Sequence, residues 1–291
     1  MHYFGYGSNL NRLDLDRWCA RRDLPALNLK PEGLAFLPDR TLAFSHRSTT
    51  RAGGVLDVPE AVGRAVQGVV FRCADERTLT TLDRKENEGH VYRRIEEIVI
   101  TPGGGESPAF LYEVDPRFRE TYVPPNPDYL DAVRRGYEAH GVELDALEEA
   151  AKGKTPAGAV ATLFVYGTLR RGEMRHPILE RHGGRLIGEG RIEGTLVDLG
   201  PHPGLIGQAR EHPVVGEIYA FDDLARVLGE TDRVEGFLGF GDPSSQYRRG
   251  VVSVSLGGDA PSVMAWTYLF AGEVSGLPVV PGGIWRRQHV T

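Results

Sequence analysis

The chain has 291 residues, 41% apolar and 25% charged, with a formal net charge of −6. That length favours two domains over one, and the composition supports ordinary buried cores and excludes a disordered or fibrous chain. With 37 Gly and 19 Pro the chain is rich in turn formers, which excludes a plain helical bundle, and its acidic balance argues against a general nucleic-acid partner.

In chain order, MHYFGYGSNL lacks the basic start and long apolar run of a signal peptide, and no stretch approaches the length of a membrane span. A cytoplasmic location without a membrane partner is expected. The first apolar run ends in Tyr6-Gly7-Ser8. Such a strand-end turn leaves backbone N–H groups without ladder partners and lets a ligand approach the main chain, so it can cradle a carboxylate or an oxyanion; the bland alternative is an ordinary turn into a loop. Cys19 and Cys73 are too few for a disulfide framework or structural zinc site and read as buried free thiols. Gln67–Phe71 is strand-like, and Leu82–Glu86 reads as a short acidic helix with Asp83 three residues ahead of Glu86. Tyr92-Arg93-Arg94 and a β-branched run to Ile100 follow. Tyr129 to Ala151 reads as helix, with Tyr129, Val133 and Tyr137 on one stripe and a second stretch from Leu144 to Leu147 after Gly141. Ala151 to Ala159 has linker composition, placing a boundary near Thr155.

The pattern then repeats. TLFVYGTL, ending at Leu169, pairs Tyr166 with Tyr6, Gly167 with Gly7 and Thr168 with Ser8; Leu169 answers Leu10, which comes one residue late after Asn9. Val214–Tyr219 matches Gln67–Phe71, Asp232 and Glu235 match Asp83 and Glu86, and Tyr247-Arg248-Arg249 matches Tyr92-Arg93-Arg94. Four matched elements in one order indicate two copies of one domain, 1–154 and 155–291. Many short strands with few, short helices suit an α+β class in which each half is a small mixed sheet or barrel. The Pro/Gly-rich tail from Gly276 reads as a covering arm or a loose end.

YFGYGSNL resembles the opening motif of the gamma-glutamylcyclotransferase family, and VYGTLRRG resembles that of its gamma-glutamylamine cyclotransferase branch. LDRKE, PNPDYLDAVRRGYEAHGVELDAL, DLGPHPGLI, VVGEIYAF, Glu235-Gly236 and AWTYLF extend the resemblance over most of both halves. It implies a small mixed β-barrel and an amine-lyase or acyltransferase type of enzyme that releases 5-oxoproline from γ-glutamyl amino acids or γ-glutamyl amines. The α-amine attacks the γ-carbonyl within one molecule, so positioning can supply a large share of the barrier reduction.

One carboxylate near both nitrogens can take a proton from the attacking amine and return it to the departing one. Glu86 and Glu235 are the expected catalytic residues, which requires their pKa to be raised above the usual carboxylate range. Because Glu-Gly occurs at Glu88-Gly89 in the first half, Glu88 is the alternative there. Asp83 and Asp232 read best as helix caps. Tyr6, Gly7, Ser8, Asn9, Leu10 and Tyr92, with Tyr166, Gly167, Thr168, Leu169 and Tyr247, are the expected substrate-binding residues. Ser8 and Thr168 lack a His at readable spacing, which weakens a nucleophilic triad.

The chain has no GxGxxG, GxxxxGK(S/T) or HExxH, and no cofactor or metal is expected. His176 and His182 lie six apart, not at helical metal spacing, and His46 and His202 read as structural or exposed. Two further readings stay open. An amidase-like hydrolase on the same fold would release free glutamate, and one half could be a non-catalytic module binding a small carboxylate.

Overall fold

A computed structural model describes residues 1–207, 212–258 and 261–286. The chain divides into two compact units. The first comprises Met1–Thr101 and Ser107–Ala159, and the second comprises Pro102–Glu106 and the residues from Val160 on.

The first unit is built on β1 (His2–Gly5), β2 (Leu29–Arg40), β5 (Glu60–Cys73), β6 (Tyr92–Ile100) and β7 (Glu106–Val114). These close into a barrel in the order β1-β5-β2-β6-β7. The β1–β5 and β2–β5 pairs are antiparallel, and the barrel closes through the parallel contact Tyr3↔Phe110. Between β2 and β5, a separate hairpin is formed by β3 (Ala43–Ser48) and β4 (Gly53–Asp57). The helices are α1 (Arg12–Ala20), α2 (Glu76–Glu86), α3 (Pro127–His140) and α4 (Asp145–Ala151). The helical region expected from Tyr129 to Ala151, with a second stretch after Gly141, divides there because Gly141 adopts a left-handed conformation (φ 70°) and ends α3. Cys19 and Cys73 are buried free thiols.

The second unit repeats this plan with β8 (Thr162–Val165), β9 (Arg185–Asp198), β10 (Pro203–Ile206), β11 (His212–Ala220), β12 (Tyr247–Val254) and β13 (Val263–Phe270). Its sheet runs β10-β9-β11-β8-β13-β12, again with one parallel contact, Trp266↔Leu163. Just past β12, Ser255 and Arg191 of β9 exchange both backbone hydrogen bonds at 2.8 Å. That bridge places the end of β12 beside β9, so β8-β11-β9-β12-β13 has the circular order of the first barrel, with β10 outside it. The helices here are α5 (Pro177–Arg181) and α6 (Leu224–Glu235).

Matched residues account for the shared plan. Phe4 and Phe164 are buried at 0% and 1% exposure. Each lies against a glycine on the facing strand: a Cβ on Gly68 would stand 2.6 Å from Phe4 Cζ, and one on Gly216 would stand 2.5 Å from Phe164 Cζ. As far as it is described, the tail packs on the second unit. Val279 bridges to Val197, and Val280 and Trp285 are buried in the second core, while 287–291 lie outside the described residues. Among the described residues, no helix is long and apolar enough to cross a membrane.

Candidate functional site

Both candidate glutamates end a helix. In α2, Asp75 caps the N-terminus by accepting from Thr78 N at 2.7 Å, and the helix stops at Asn87, which is left-handed at φ 53°. In α6, Asp223 caps and Gly236 (φ 64°) stops the helix. Asn87 therefore takes the conformation that Gly236 takes, and Glu86 is in register with Glu235. Glu88 is exposed outside the helix.

The expectation that Asp83 and Asp232 are caps is not met, since both sit near the ends of their helices. Each instead accepts a hydrogen bond from a tyrosine of the last barrel strand, Tyr112 (2.7 Å) or Tyr268 (2.6 Å). Each also faces the second arginine of the repeated Tyr-Arg-Arg: Arg94 at 2.6 Å and Arg249 at 3.5 Å. The same two strands hold the glycine turns. Tyr6 Oη donates to Tyr112 O at 2.6 Å, and Tyr166 Oη donates to Tyr268 O at 2.7 Å. In each unit, one short piece of strand thus fixes both the turn and the helix that ends in glutamate.

In the first unit, Gly7 leads into a short 3-10 turn, Ser8–Leu10, whose leading N–H groups lack intrahelical partners. Asn9 Nδ2 donates to Glu86 Oε1 at 3.0 Å and to Tyr3 Oη at 2.7 Å, and Lys85 Nζ lies 3.1 Å from the same carboxylate oxygen. Glu86, Ser8 and Tyr92 line a cavity of about 700 Å³. Tyr6 and Leu10 pack in the core behind it, and Gly7 lies beneath Leu56 and Tyr129. Tyr92 Oη donates to Leu56 O at 3.3 Å, and burial raises the phenol far above its ordinary value, which keeps it a neutral donor.

Most of the lining was not assigned to the site from the sequence, Asp14, His46, Arg51, Lys85 and Tyr129 among it. Arg51, in the β3–β4 turn, clasps Asp14 of α1 through both guanidinium nitrogens at 3.2 and 2.6 Å. Tyr129 was visible only as a stripe position, yet its hydroxyl is hydrogen-bonded to Ser8 and Leu56 N, and burial pushes its pKa up to about 12.

In the second unit, Tyr166, Gly167, Thr168, Leu169, Glu235 and Tyr247 all line one cavity, which holds only about 30 Å³, room for about one water. Burial raises the Glu235 pKa to about 7 against the opposing pull of Arg175, whose Nη1 lies 3.4 Å away. Arg175 is tied to the turn by its backbone N–H, which donates to Thr168 O at 2.9 Å. Tyr247 Oη donates to Pro203 O at 2.8 Å and lies 3.0 Å from His202 Nδ1. His202 is therefore a lining residue, where the sequence reading left it structural or exposed. Burial and then Arg175 lower its pKa, which favours the neutral ring. The segment DLGPHPGLI was the available signal for His202 and Pro203; nothing in the sequence ties Arg51 or Arg175 to the glutamates, because both come from loops. Among the described residues, no group of three His, Cys, Asp or Glu side chains could hold a metal ion.

Two closed barrels, each setting a strand-end glycine turn beside a helix-end carboxylate, define a duplicated domain with one site frame used twice. The family model described as "Gamma-glutamyl cyclotransferase, AIG2-like" matches residues 3–131 and again 163–287, and the chain belongs to that family. A Vibrio cholerae protein named as a gamma-glutamylcyclotransferase is 32% identical over 129 residues, 43% of this chain and 96% of the relative. The Gamma-L-glutamyl-butirosin B gamma-glutamyl cyclotransferase of Niallia circulans is 34% identical over 109 residues, 37% of this chain and 65% of the relative. A solved structure described as "Gamma-glutamyl cyclotransferase" aligns with 52% of this chain and 85% of its own at 26% identity, with a TM-score of 0.44. The family supports a cyclotransferase activity in general terms.

Proposed function

We propose that the chain releases 5-oxoproline from γ-glutamyl amino acids or γ-glutamyl amines, with Glu86 as the acid/base of the first unit and Glu235 as that of the second. The observation that carries this reading is the frame present in both copies: a glutamate at a helix end, on a common strand with a glycine turn able to receive the glutamyl carboxylate.

The γ-glutamyl α-ammonium gives a proton to the glutamate, and the freed amine attacks the γ-carbonyl carbon. The C–N bond to the leaving amine then breaks as the same glutamate returns that proton to it, and the extra proton left on the ring nitrogen passes to the departed amine, giving the lactam N–H and an ammonium. Holding the amine against the carbonyl replaces a bimolecular collision with a ring closure. In the first unit, Asn9 and Lys85 hold the Glu86 carboxylate on the cavity side. In the second, a carboxyl titrating near 7 is poised to carry a proton in either direction at neutral pH.

Glu86→Gln and Glu235→Gln, alone and together, test the reading by mass-spectrometric detection of 5-oxoproline from a γ-glutamyl substrate panel. Each single variant is expected to lower its own unit's turnover by about 10²–10⁴-fold. Full activity in both singles and the double variant would sink the mechanism, and free glutamate as product would replace it with hydrolysis. The small second cavity favours one further reading, that this unit binds a small carboxylate without turning it over. Under it, Glu86→Gln alone removes all 5-oxoproline.

A further inference from the structure

The first unit's cavity is basic in an acidic chain. Its lining holds seven Arg or Lys side chains against two carboxylates, Asp14 and Glu86, whereas the lining of the second cavity has no Arg or Lys among the described residues. Lys85 and Arg51 are matched by those two carboxylates. Arg17, Arg21, Arg47 and Arg84 are exposed and have no ion-pair partner among the described residues.

Local needs do not account for this set. Arg17 and Arg21 stand at the end of α1, where cations favour a helix C-terminus, but at i, i+4 they repel each other. Arg47 comes from β3 and Arg84 from α2, so three separate elements direct unpaired cations to one cavity. A second hollow of about 810 Å³ adjoins it and shares Asp14, Arg17, Arg21, Thr50, Arg51 and Tyr129 with it; the charges it adds balance, since Arg12 and Arg135 are paired with Asp16 and Asp131, and Asp128 also lines it. The groove therefore continues past the Asp14–Arg51 pair, well away from Glu86.

We infer that the leaving amine accepted by the first unit carries two or more negative charges, as an acidic amino acid or short acidic peptide does. The inference rests on the γ-glutamyl reading above. The glutamyl part lies at Ser8 and Glu86, and the departing amine extends over Arg47 and Arg84 toward Arg17 and Arg21. Clustered charges of one sign in a cleft raise both the capture rate and the affinity of a ligand of opposite sign, and salt weakens both effects.

The test uses the full chain carrying Glu235→Gln, so that 5-oxoproline reports the first unit. γ-Glu-Glu and γ-Glu-Gln differ by one charge at nearly equal size. At low ionic strength kcat/KM is expected to be about tenfold higher for γ-Glu-Glu. The gap should fall below about twofold in ~0.5 M salt, and likewise in Arg47→Gln/Arg84→Gln, because γ-Glu-Glu turnover falls further than that of γ-Glu-Gln. A γ-glutamyl-phosphoserine arm tells whether carboxylate or phosphate supplies the second charge, and the inference stands if either dianion exceeds γ-Glu-Gln. Equal turnover of all three, or a gap that survives both salt and the double variant, overturns the charge assignment and leaves the cyclotransferase reading intact. No 5-oxoproline from any of them overturns the inference, and none from the wider γ-glutamyl panel, amines included, overturns both.

Discussion

The same glycine turn and the same helix-end glutamate border a cavity of about 700 Å³ in the first unit and about 30 Å³ in the second. The frames barely differ. Tyr112 and Tyr268 each join a turn to a helix, and Glu86 and Glu235 are similarly covered, at 15% and 11% exposure. The difference lies in what connects the second and third strands of each barrel. In the first unit, that stretch is the β3–β4 hairpin, whose turn brings Arg51 to the cavity rim. In the second, it is the His202-Pro203 turn and β10, and Pro203 lies directly on Gly167. The barrel holds the turn and the glutamate in one arrangement while the connection sets how much space lies in front of them.

The largest expected effect tests the anchoring of the two helices. Arg249 is 2% exposed and lies among Phe237, Phe240 and Trp266, with ring centroids 4.9 to 5.2 Å from its guanidinium. Asp232→Asn leaves that buried cation without its carboxylate and should cost about 3 kcal/mol. Arg94 is 37% exposed and solvated, so Asp83→Asn should cost about 1 kcal/mol. Hydrogen-exchange mass spectrometry reads α6 and α2 separately in one chain, and equal losses of protection would show that the two anchors are alike.

Next in size is a pH effect confined to the second unit. The folded Glu235 pKa of about 7 lies above the ordinary 4.5, so the folded state holds the proton more tightly than the unfolded chain. The stability tied to this proton is complete below about pH 4.5 and is lost as pH rises through about 7, a cost on the order of 2–3 kcal/mol at higher pH. Glu235→Gln should flatten that slope and protect the second unit above pH 7. If Glu235 is also the base, the second unit's kcat/KM should rise with a midpoint near pH 7 and level off about one unit higher in the parent chain. Protection of α6 that does not change between pH 5 and 8 would count against a carboxyl held in this way.

The frame was legible because each part of it is local. A strand ending in Tyr-Gly-(Ser/Thr), an Asp three residues before a Glu, and Tyr-Arg-Arg each occupy a few adjacent residues, and their repetition in order exposed the duplication. The role of the two aspartates was misread because a capping residue and a buried anchor share one spacing rule. Only the fold shows that Asp75 and Asp223 are the caps. Arg51 and Arg175 were not legible, because loops deliver them to the glutamates from 35 and 60 residues away. The contrast in cavity size was out of reach for the same reason, since it depends on where Pro203 and the β3–β4 turn come to rest.

The smallest expected effect bears most directly on that contrast. A Cβ on Gly167 would stand 2.8 Å from Pro203 Cγ and 3.0 Å from Cδ. The proline ring cannot rotate away as a flexible side chain would, so the turn itself must shift. Gly167→Ala should therefore cost about 1–2 kcal/mol, net of the gain from a stiffer unfolded chain. A Cβ on Gly7 would meet only Leu56 at 3.8 Å and the Tyr129 hydroxyl at 4.0 Å, both ordinary contacts, and Gly7→Ala should stay within about 0.5 kcal/mol of the parent. Hydrogen exchange near each turn measures the pair under one condition. If Gly167→Ala proves as mild as Gly7→Ala, then Pro203 does not rest on the turn in solution. The second cavity is then as accessible as the first, and the charge of the lining alone separates the two sites.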